Sequence, residues 1–404
     1  MRREHRERGD DHDVLERVPD FRLDRLKRMT DDTGVVQHAL YALPDHHHGY
    51  SIDDQARALI VALKHFNLTG DWASQDLATT YLRFLNYAQL PDGRFHNFMS
   101  FDRRWEDSVG SEDSNGRAVW ALGYTALTGV EEDLQMTARS MLLRSYSWLG
   151  RLRYLRSRAF AIAGLYFYLR TTPGDEQARD LVCRHADALV EAFDRSASPE
   201  WQWFEDALSY SNGRLPYALI LAYLISWERR YLEVARSSLD FLLQVAHMDS
   251  PDYVSLVGQD GWYPRGGRCA RFDQQPVDAH ALLDACLAAH QVLGDRRYIR
   301  EAHLAFAWFH GRNALGRPLY CDQTGGCFDG LTPDGVNQNR GAESTISYLL
   351  SHLAMVESGH LAFKEVTREK RRPQLVVPRL VPIQPAGRKE QPSTPDPPSV
   401  IIES

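Results

Sequence analysis

The sequence lacks any apolar run long enough to span a bilayer. Its longest stretch, LPYALILAYLISW at residues 215–227, falls well short of the roughly 20 residues a membrane helix needs. No apolar segment follows the charged opening MRREHRERGDDHD, so a soluble, unexported chain is predicted. Cysteine is scarce too. Five in 404 residues is an odd number, which argues against a disulfide framework and fits a reducing cytoplasm. Cys321 and Cys327, in CDQTGGC, match no zinc spacing and read as two free thiols. Outside the first few residues there is no basic block, and the net charge is -7. The footprint that holds a phosphate backbone is therefore missing, and nucleic acid is not an expected partner. Strand-like alternation is also rare. No G-x-G-x-x-G follows a strand, so a nucleotide-sugar domain of the α/β kind is not expected.

What is present is ordinary globular material, 43% hydrophobic and 25% charged, enough for one large domain or two modest ones. The ends differ from the middle. Residues 1–30 form a charged N-terminal segment with a short helix expected from Val14 to Met29. From about residue 367 to 404 the prolines recur and aromatics vanish, which predicts a disordered tail with too little apolar surface to offset chain entropy.

Residues 31–366 repeat one theme. Helical periodicity starts near Ser51, Asp113, Arg156, Ser211, Asp273 and Gly341, each time with a polar cluster followed by a small, apolar run: SIDDQARALIVAL, DSNGRAVWALGYTAL, RSRAFAIAGLYFYL, SNGRLPYALILAYLI, DQQPVDAHALLDACLAA and GAESTISYLLSHL. A second, more charged helix follows the first five, from Asp71, Glu131, Asp175, Arg229 and Asp295. Three of the turns, LTGDWA, TPGDEQ and LGDRR, pair a glycine C-cap with an aspartate N-cap. The sixth partner is weaker and falls to the stretch from His360 or to the N-terminal helix. Helices apolar all round suit an inner ring, and helices with one solvated face suit an outer one. The expectation is an all-α (α/α)6 barrel. An open solenoid is the competitor, but its repeats are usually more even in length.

In a closed double ring the inner helices run parallel, so their polar starts gather at one end. These starts carry Asp53, Asp54 and Arg57; Glu112, Asp113, Asn115 and Arg117; Arg156 and Arg158; Glu205, Asp206, Asn212 and Arg214; Asp273, Gln274, Gln275 and Asp278; Asn339, Arg340 and Glu343. Any one acid could be a simple cap, since Ser51 to Asp54 reads as a capping-box variant and the helix dipole favours a first-turn carboxylate. Arginine at a helix start opposes the dipole, so capping alone does not explain the clusters. The preceding loops are long and aromatic, with Trp105, Trp201, Trp203, Trp262 and Tyr263, a mix suited to sugars. Candidate substrate contacts are His48, Tyr50, Arg57, His96, Asn115, Arg117, Trp203, Asn212, Trp262, Tyr263, Arg271, Gln274, Gln275, Asn339 and Arg340.

Seven segments carry a family likeness: MTDDTGVVQHA, HGYSIDDQARAL, PDGRFHNFMSFDRRW, GSEDSNGRAVWALG, FEDALSYSNGRLPYAL, GWYPRGGRCARFDQQPVDAHAL and TGGCFDGLTPDGVNQNRGAESTISYLL. Over roughly residues 28–355 the chain resembles the six-hairpin glycosidase-like superfamily. More closely, it resembles a bacterial group often found beside or fused to retaining glycosyltransferases. The resemblance implies a carbohydrate-active protein acting on an oligosaccharide or glycoconjugate, with a glycosyltransferase as a possible partner. It supplies no catalytic pair to carry over.

Glycoside hydrolysis needs one protonated carboxyl and one ionised one. First-turn acids are held ionised by the dipole and by backbone N–H groups, which makes Asp54, Asp113 and Asp273 the expected bases. Among aromatics, desolvation raises a carboxyl, so Glu205 or Asp206 in WQWFED is the expected acid, with Glu343 next. No cofactor is called for. The histidines at 46–48 point in different directions with no matching acid, so no metal is expected. Two alternatives remain: an epimerase using His48, His96 or His280, and a non-catalytic glycan-binding partner of a glycosyltransferase.

Overall fold

The computed structural model describes residues 18–365 and 380–383. Among them, inner helices α2 (Ile52–Thr69), α4 (Glu112–Thr128), α6 (Leu155–Leu169), α8 (Arg214–Ser226), α10 (Pro276–Leu293) and α12 (Ala342–Glu357) alternate with outer helices α3 (Trp72–Ala88), α5 (Glu132–Leu149), α7 (Glu176–Ser196), α9 (Arg229–Ala246) and α11 (Arg296–Phe309). Each inner helix packs on the next, and α12 returns to α2, so the ring closes into the expected (α/α)6 barrel. The inner helices are buried nearly all round; α9, by contrast, buries one stripe through Tyr231, Val234, Ala235, Ser238, Leu239 and Leu242.

The caps follow the sequence with one exception. Asp71, Asp175 and Asp295 accept from the backbone N–H groups of Ala73, Ala178 and Arg297. Gly70 and Gly294 take left-handed conformations, φ 70° and 69°. In TPGDEQ, however, α6 already stops at Leu169 and Gly174 keeps a negative φ, so that glycine caps nothing.

The sixth outer position is filled by both expected pieces. Helix α1 (Asp24–Met29) packs on α12. It is shorter than the 14–29 expected: residues 18–23 are non-helical and 14–17 lie outside the described residues. The cause is Phe21, which leaves the helix path to bridge to Glu365 and stack 5.3 Å from His65. Residues 367–379 and 384–404 of the expected disordered tail lie outside the described residues. Residues 380–383 lie across the end of the barrel where inner helices finish. Tyr166 Oη donates to the Val381 carbonyl and accepts from its N–H, the Ile383 N–H donates to Leu224 O, and Ile383 is buried.

Helices α4 and α6 approach closest, over glycines. A Cβ on Gly123 would lie 1.9 Å from the Gly164 carbonyl oxygen, and one on Gly164 would lie 2.3 Å from that of Val119. Backbone cannot yield cheaply, so Gly123→Ala is expected to destabilise the fold by about 3 kcal/mol or more. Gly174→Ala, where an added Cβ meets nothing, is the control. Urea unfolding of the two variants checks this.

Five two-residue ladders staple the loops that lead into inner helices. Strand β3 (Tyr50–Ser51) pairs with β4 (Phe98–Met99), and β5 (Ala207–Leu208) with β6 (Tyr263–Pro264). The hairpins are β1 (Ala39–Leu40) with β2 (Leu43–Pro44), β7 (Tyr320–Cys321) with β8 (Gly326–Cys327), and β9 (Leu331–Thr332) with β10 (Gly335–Val336). All five cysteines are free thiols. No helix among the described residues is long and apolar enough to cross a membrane.

Candidate active site

Ser51 caps α2 by accepting from the Asp54 N–H, and its hydroxyl donates back to Asp54 Oδ2 at 2.7 Å. That fixes Asp54 inside the barrel mouth and leaves Asp53 one position earlier on the same turn. One turn later Arg57 reaches back, with Nη2 3.0 Å from Asp54 Oδ1, 3.0 Å from Glu343 Oε2 of α12 and 3.7 Å from Asp53 Oδ2. Arg117 of α4 completes the chain, bonding both Asp53 oxygens at 3.0 Å and lying 3.5 Å from Asp113. Ser51, Asp53, Asp54, Arg57 and Glu343 border an open cavity of about 310 Å³ whose wall also includes Gln37, His38, Asn97, Phe98, Gln275 and Asp329, with Arg117 behind Asp53.

The carboxyls in this cavity differ in environment. Burial pushes Asp54 up to about 7; Arg57 pulls it down, and the neighbouring charges of Glu343 and Asp53 raise it further. This reverses the expectation that the dipole would keep Asp54 ionised. Asp329 is likewise raised by burial, although the Gly341 N–H donates to it at 2.7 Å. Glu343, with 43% of its side chain exposed, is the most open of the carboxyls that contact Arg57.

The six expected starts do not all converge. Those of α2 and α12 line the cavity with Gln275 from the edge of α10, and α4 joins through Arg117. Asp113 stands behind, accepting from Ser157 and from Tyr210 Oη. On the opposite side Arg156, in the first turn of α6, reaches into the loop before α8, bonding Glu205 at 2.7 Å, Ser209 and Asn212. Glu205 thus belongs to that ion pair rather than to the cavity wall. Asp206 is 91% exposed, near only Arg265 at 3.9 Å. Neither matches the desolvated proton donor expected in WQWFED, because Trp201 and Trp203 turn inward to fill the loop instead of enclosing a carboxyl. Asp273 precedes α10 in a left-handed conformation, bonds Gln275, and is raised by burial and by Asp260, the opposite sense to the one expected from the dipole. Glu112 holds the two residues before α6, accepting the Arg153 and Tyr154 N–H groups, and Arg158 faces His185 on α7.

Several expected sugar contacts are saturated by the protein. Gln274 is fully buried and bonds Leu256, Trp308, Ser255 and Arg271 backbone or side-chain groups. Asn115 and Asn212 tie down the loops before their helices, Asn115 by accepting the Phe95 N–H and Asn212 that of Ser209. Tyr50 donates to Asp31, and Arg271 pairs with Asp249. Asn339 accepts the Tyr41 N–H, and Arg340 stacks over Phe328. Trp105 stacks 4.7 Å from His96, whose Nδ1 lies 2.7 Å from the Asp107 carbonyl oxygen. Tyr263 packs on Trp201, and Trp262 leans toward Tyr210 at 6.4 Å. The aromatic in the cavity wall is instead Phe98. His48 sits at the rim, 4.5 Å from the His38 ring. His280 lies deeper, between Arg214 and Asp284, where burial drops it to about 4.

Sequence reasoning missed Gln37, His38, Asn97 and Asp329 as wall residues. None stands at a helix start. Among the described residues no cluster of three or more histidine, cysteine or carboxylate groups is arranged to hold a metal.

Asp278, in the first turn of α10, is buried outside this cavity, and desolvation lifts it to about 7 against nearby N–H groups of Ser211 and Asn212. That lies above the ~3.9 of an unfolded aspartate. The folded state therefore binds more protons between about pH 4 and 7, and stability falls as pH rises through that window. Asp278→Asn is expected to leave stability at pH 4 nearly unchanged and raise it at pH 8 by about 1–3 kcal/mol, read from urea unfolding at the two pH values.

No protein-family model matches the chain, and no curated protein matches it. Solved structures do. A sugar epimerase from a ruminal bacterium aligns with TM-score 0.65 and 12% identity over 87% of this chain and 98% of that one. Cellobiose 2-epimerase from Spirochaeta thermophila gives 0.64 and 15% over 87% and 96%. A family 76 α-mannanase from Bacteroides thetaiotaomicron gives 0.56 and 14% over 86% and 94%. At such identities the likeness is one of architecture: the chain shares the (α/α)6 barrel fold of these structures.

Proposed function

We propose that the protein is a carbohydrate-active enzyme of the glycoside hydrolase kind, acting on an oligosaccharide or glycoconjugate in the α2–α12 cavity. The observation that carries this is a single cavity holding a carboxyl lifted to about 7, Asp54, beside carboxylates paired with arginine, Asp53 and Glu343. A desolvated carboxyl side by side with carboxyls held by arginine is the kind of pairing glycosidic cleavage uses. Asp54 gives its proton to the glycosidic oxygen as the bond to the anomeric carbon breaks. Glu343, or Asp53, is the second carboxyl: as base it takes a proton from the water that attacks that carbon, or as nucleophile it bonds that carbon in a glycosyl ester that water then cleaves, giving its proton to Asp54. Arg57 holds all three in register.

An epimerase reading has one observation in its favour, His38 in the cavity wall, where burial lowers its pKa and leaves it a neutral base. His96 and His280 stand outside that wall. The non-catalytic reading keeps the cavity without turnover. A screen of glucosides and mannosides for released reducing ends, with and without phosphate, separates the three. Hydrolysis raises the number of ends; epimerisation changes the sugar with their number constant; a binding protein does neither. A cytoplasmic location is part of the proposal, supported by five free thiols. A glycosyltransferase partner rests on the sequence resemblance alone.

A further inference from the structure

Hairpin β1–β2 carries three large apolar side chains in solvent: Leu40 and Tyr41 are each 60% exposed and Leu43 70%. Leu40 and Leu43 are directly opposite in the ladder, so they share one face. Alternation along the strand puts His38 on that face as well, while Ala39 of the other face is buried. His38 and Gln37 belong to the cavity wall, so the apolar patch continues that wall outward.

The hairpin is also fixed in place. Tyr41 has φ 54°, a left-handed conformation costly for an aromatic residue. Its N–H donates to Asn339 Oδ1 and its carbonyl accepts from the Arg340 N–H, at 2.9 and 3.0 Å. Buried Arg25 bonds the carbonyl oxygens of both Ala42 and Arg340, tying the turn to the loop before α12.

We infer that this hairpin is an aglycone subsite that takes the hydrocarbon part of a glycoside whose sugar sits in the cavity. The inference rests on the carbohydrate reading above and names the leaving-group side of its substrate. A subsite for a second sugar would offer flat aromatic faces; two of the three residues here are leucines, whose branched methyls match alkyl chains instead. The patch begins where the polar wall ends, as an amphiphilic glycoside requires.

The test compares methyl and octyl glycosides of glucose and mannose, below their micellar concentrations, by calorimetric binding and by turnover. The octyl compounds are expected to bind about 10- to 100-fold more tightly than the methyl ones. Leu40→Ser/Leu43→Ser should erase that difference while leaving methyl glycoside binding and the folded-state circular dichroism unchanged. Octyl binding no tighter than methyl overturns the subsite, and if both are still cleaved, the hydrolase reading stands. Binding of neither overturns both readings. A concentration-dependent dimer lost in the double variant would assign the patch to self-association, and tight binding of phosphatidylcholine vesicles lost in it would assign the patch to a membrane surface. Either result overturns the subsite.

Discussion

Asp54→Asn is expected to lower kcat on an unactivated glycoside by about 10²–10⁴-fold, the usual contribution of a positioned proton donor, with a much smaller change in KM. Asparagine keeps the size of the side chain and can still bond Ser51 and sit beside Arg57, but it has no acidic proton for the departing oxygen. A control separates this role from mere loss of structure: a nitrophenyl glycoside leaves readily without protonation, so its cleavage should be far less affected. The pH profile carries the same signature. A raised acid works only while protonated, so wild-type kcat/KM should fall as pH rises through about 7, the value to which burial lifts Asp54. The variant should lack that limb. An unchanged profile in the variant would move the proton donor elsewhere.

Removing the guanidinium at position 57 should have the second largest effect. Arg57 is 3% exposed and contacts Asp54, Glu343 and Asp53 together. Arg57→Met leaves three carboxyls crowded around an apolar stem. Breaking a buried pair on one side costs about 3–5 kcal/mol, and that penalty should be larger at pH 8 than at pH 5, where protonation relieves the crowding. Losing the nearby positive charge should also raise Asp54 further, shifting the alkaline limb of any residual activity upward. Arg57→Lys keeps the charge but loses the Nε donor that bonds the Asp53 carbonyl oxygen and orients the guanidinium plane, so partial stability with poor activity is expected. Urea unfolding at both pH values, with kcat/KM profiles, checks both variants. Stability independent of residue 57 would mean that the network does not hold the mouth together.

The barrel was legible because each of its causes is local. The alternation of apolar and amphipathic helices and the capping aspartates at 71, 175 and 295 can be read residue by residue, and closure follows from six repeats. Asp54, Arg57, Arg117, Gln275 and Glu343 were legible for the same reason, as members of polar clusters at helix starts whose arginines and amides capping does not explain. What could not be read was which starts would share a cavity. That depends on how long loops fill the mouth: residues 197–213 fold Arg156 onto Glu205 and bury Trp201 and Trp203, which closes off the α6–α8 side and leaves the α2–α12 side open. Asp329 was hidden in a loop and reaches the wall where the Gly341 N–H and Ser344 hold it. The sense of the Asp54 shift was missed because the helix dipole is a near-surface effect, and burial of the whole carboxyl outweighs it.

The most direct test of the account is a crystal structure of the Asp54→Asn protein soaked with an oligosaccharide that the wild-type protein cleaves or binds. The account predicts a sugar ring in the α2–α12 cavity, with its glycosidic oxygen within hydrogen-bond distance of the residue 54 amide and its hydroxyls on Asp53, Glu343 or Arg57. Sugar bound on the Arg156–Glu205 side, with the α2–α12 cavity empty, would contradict it.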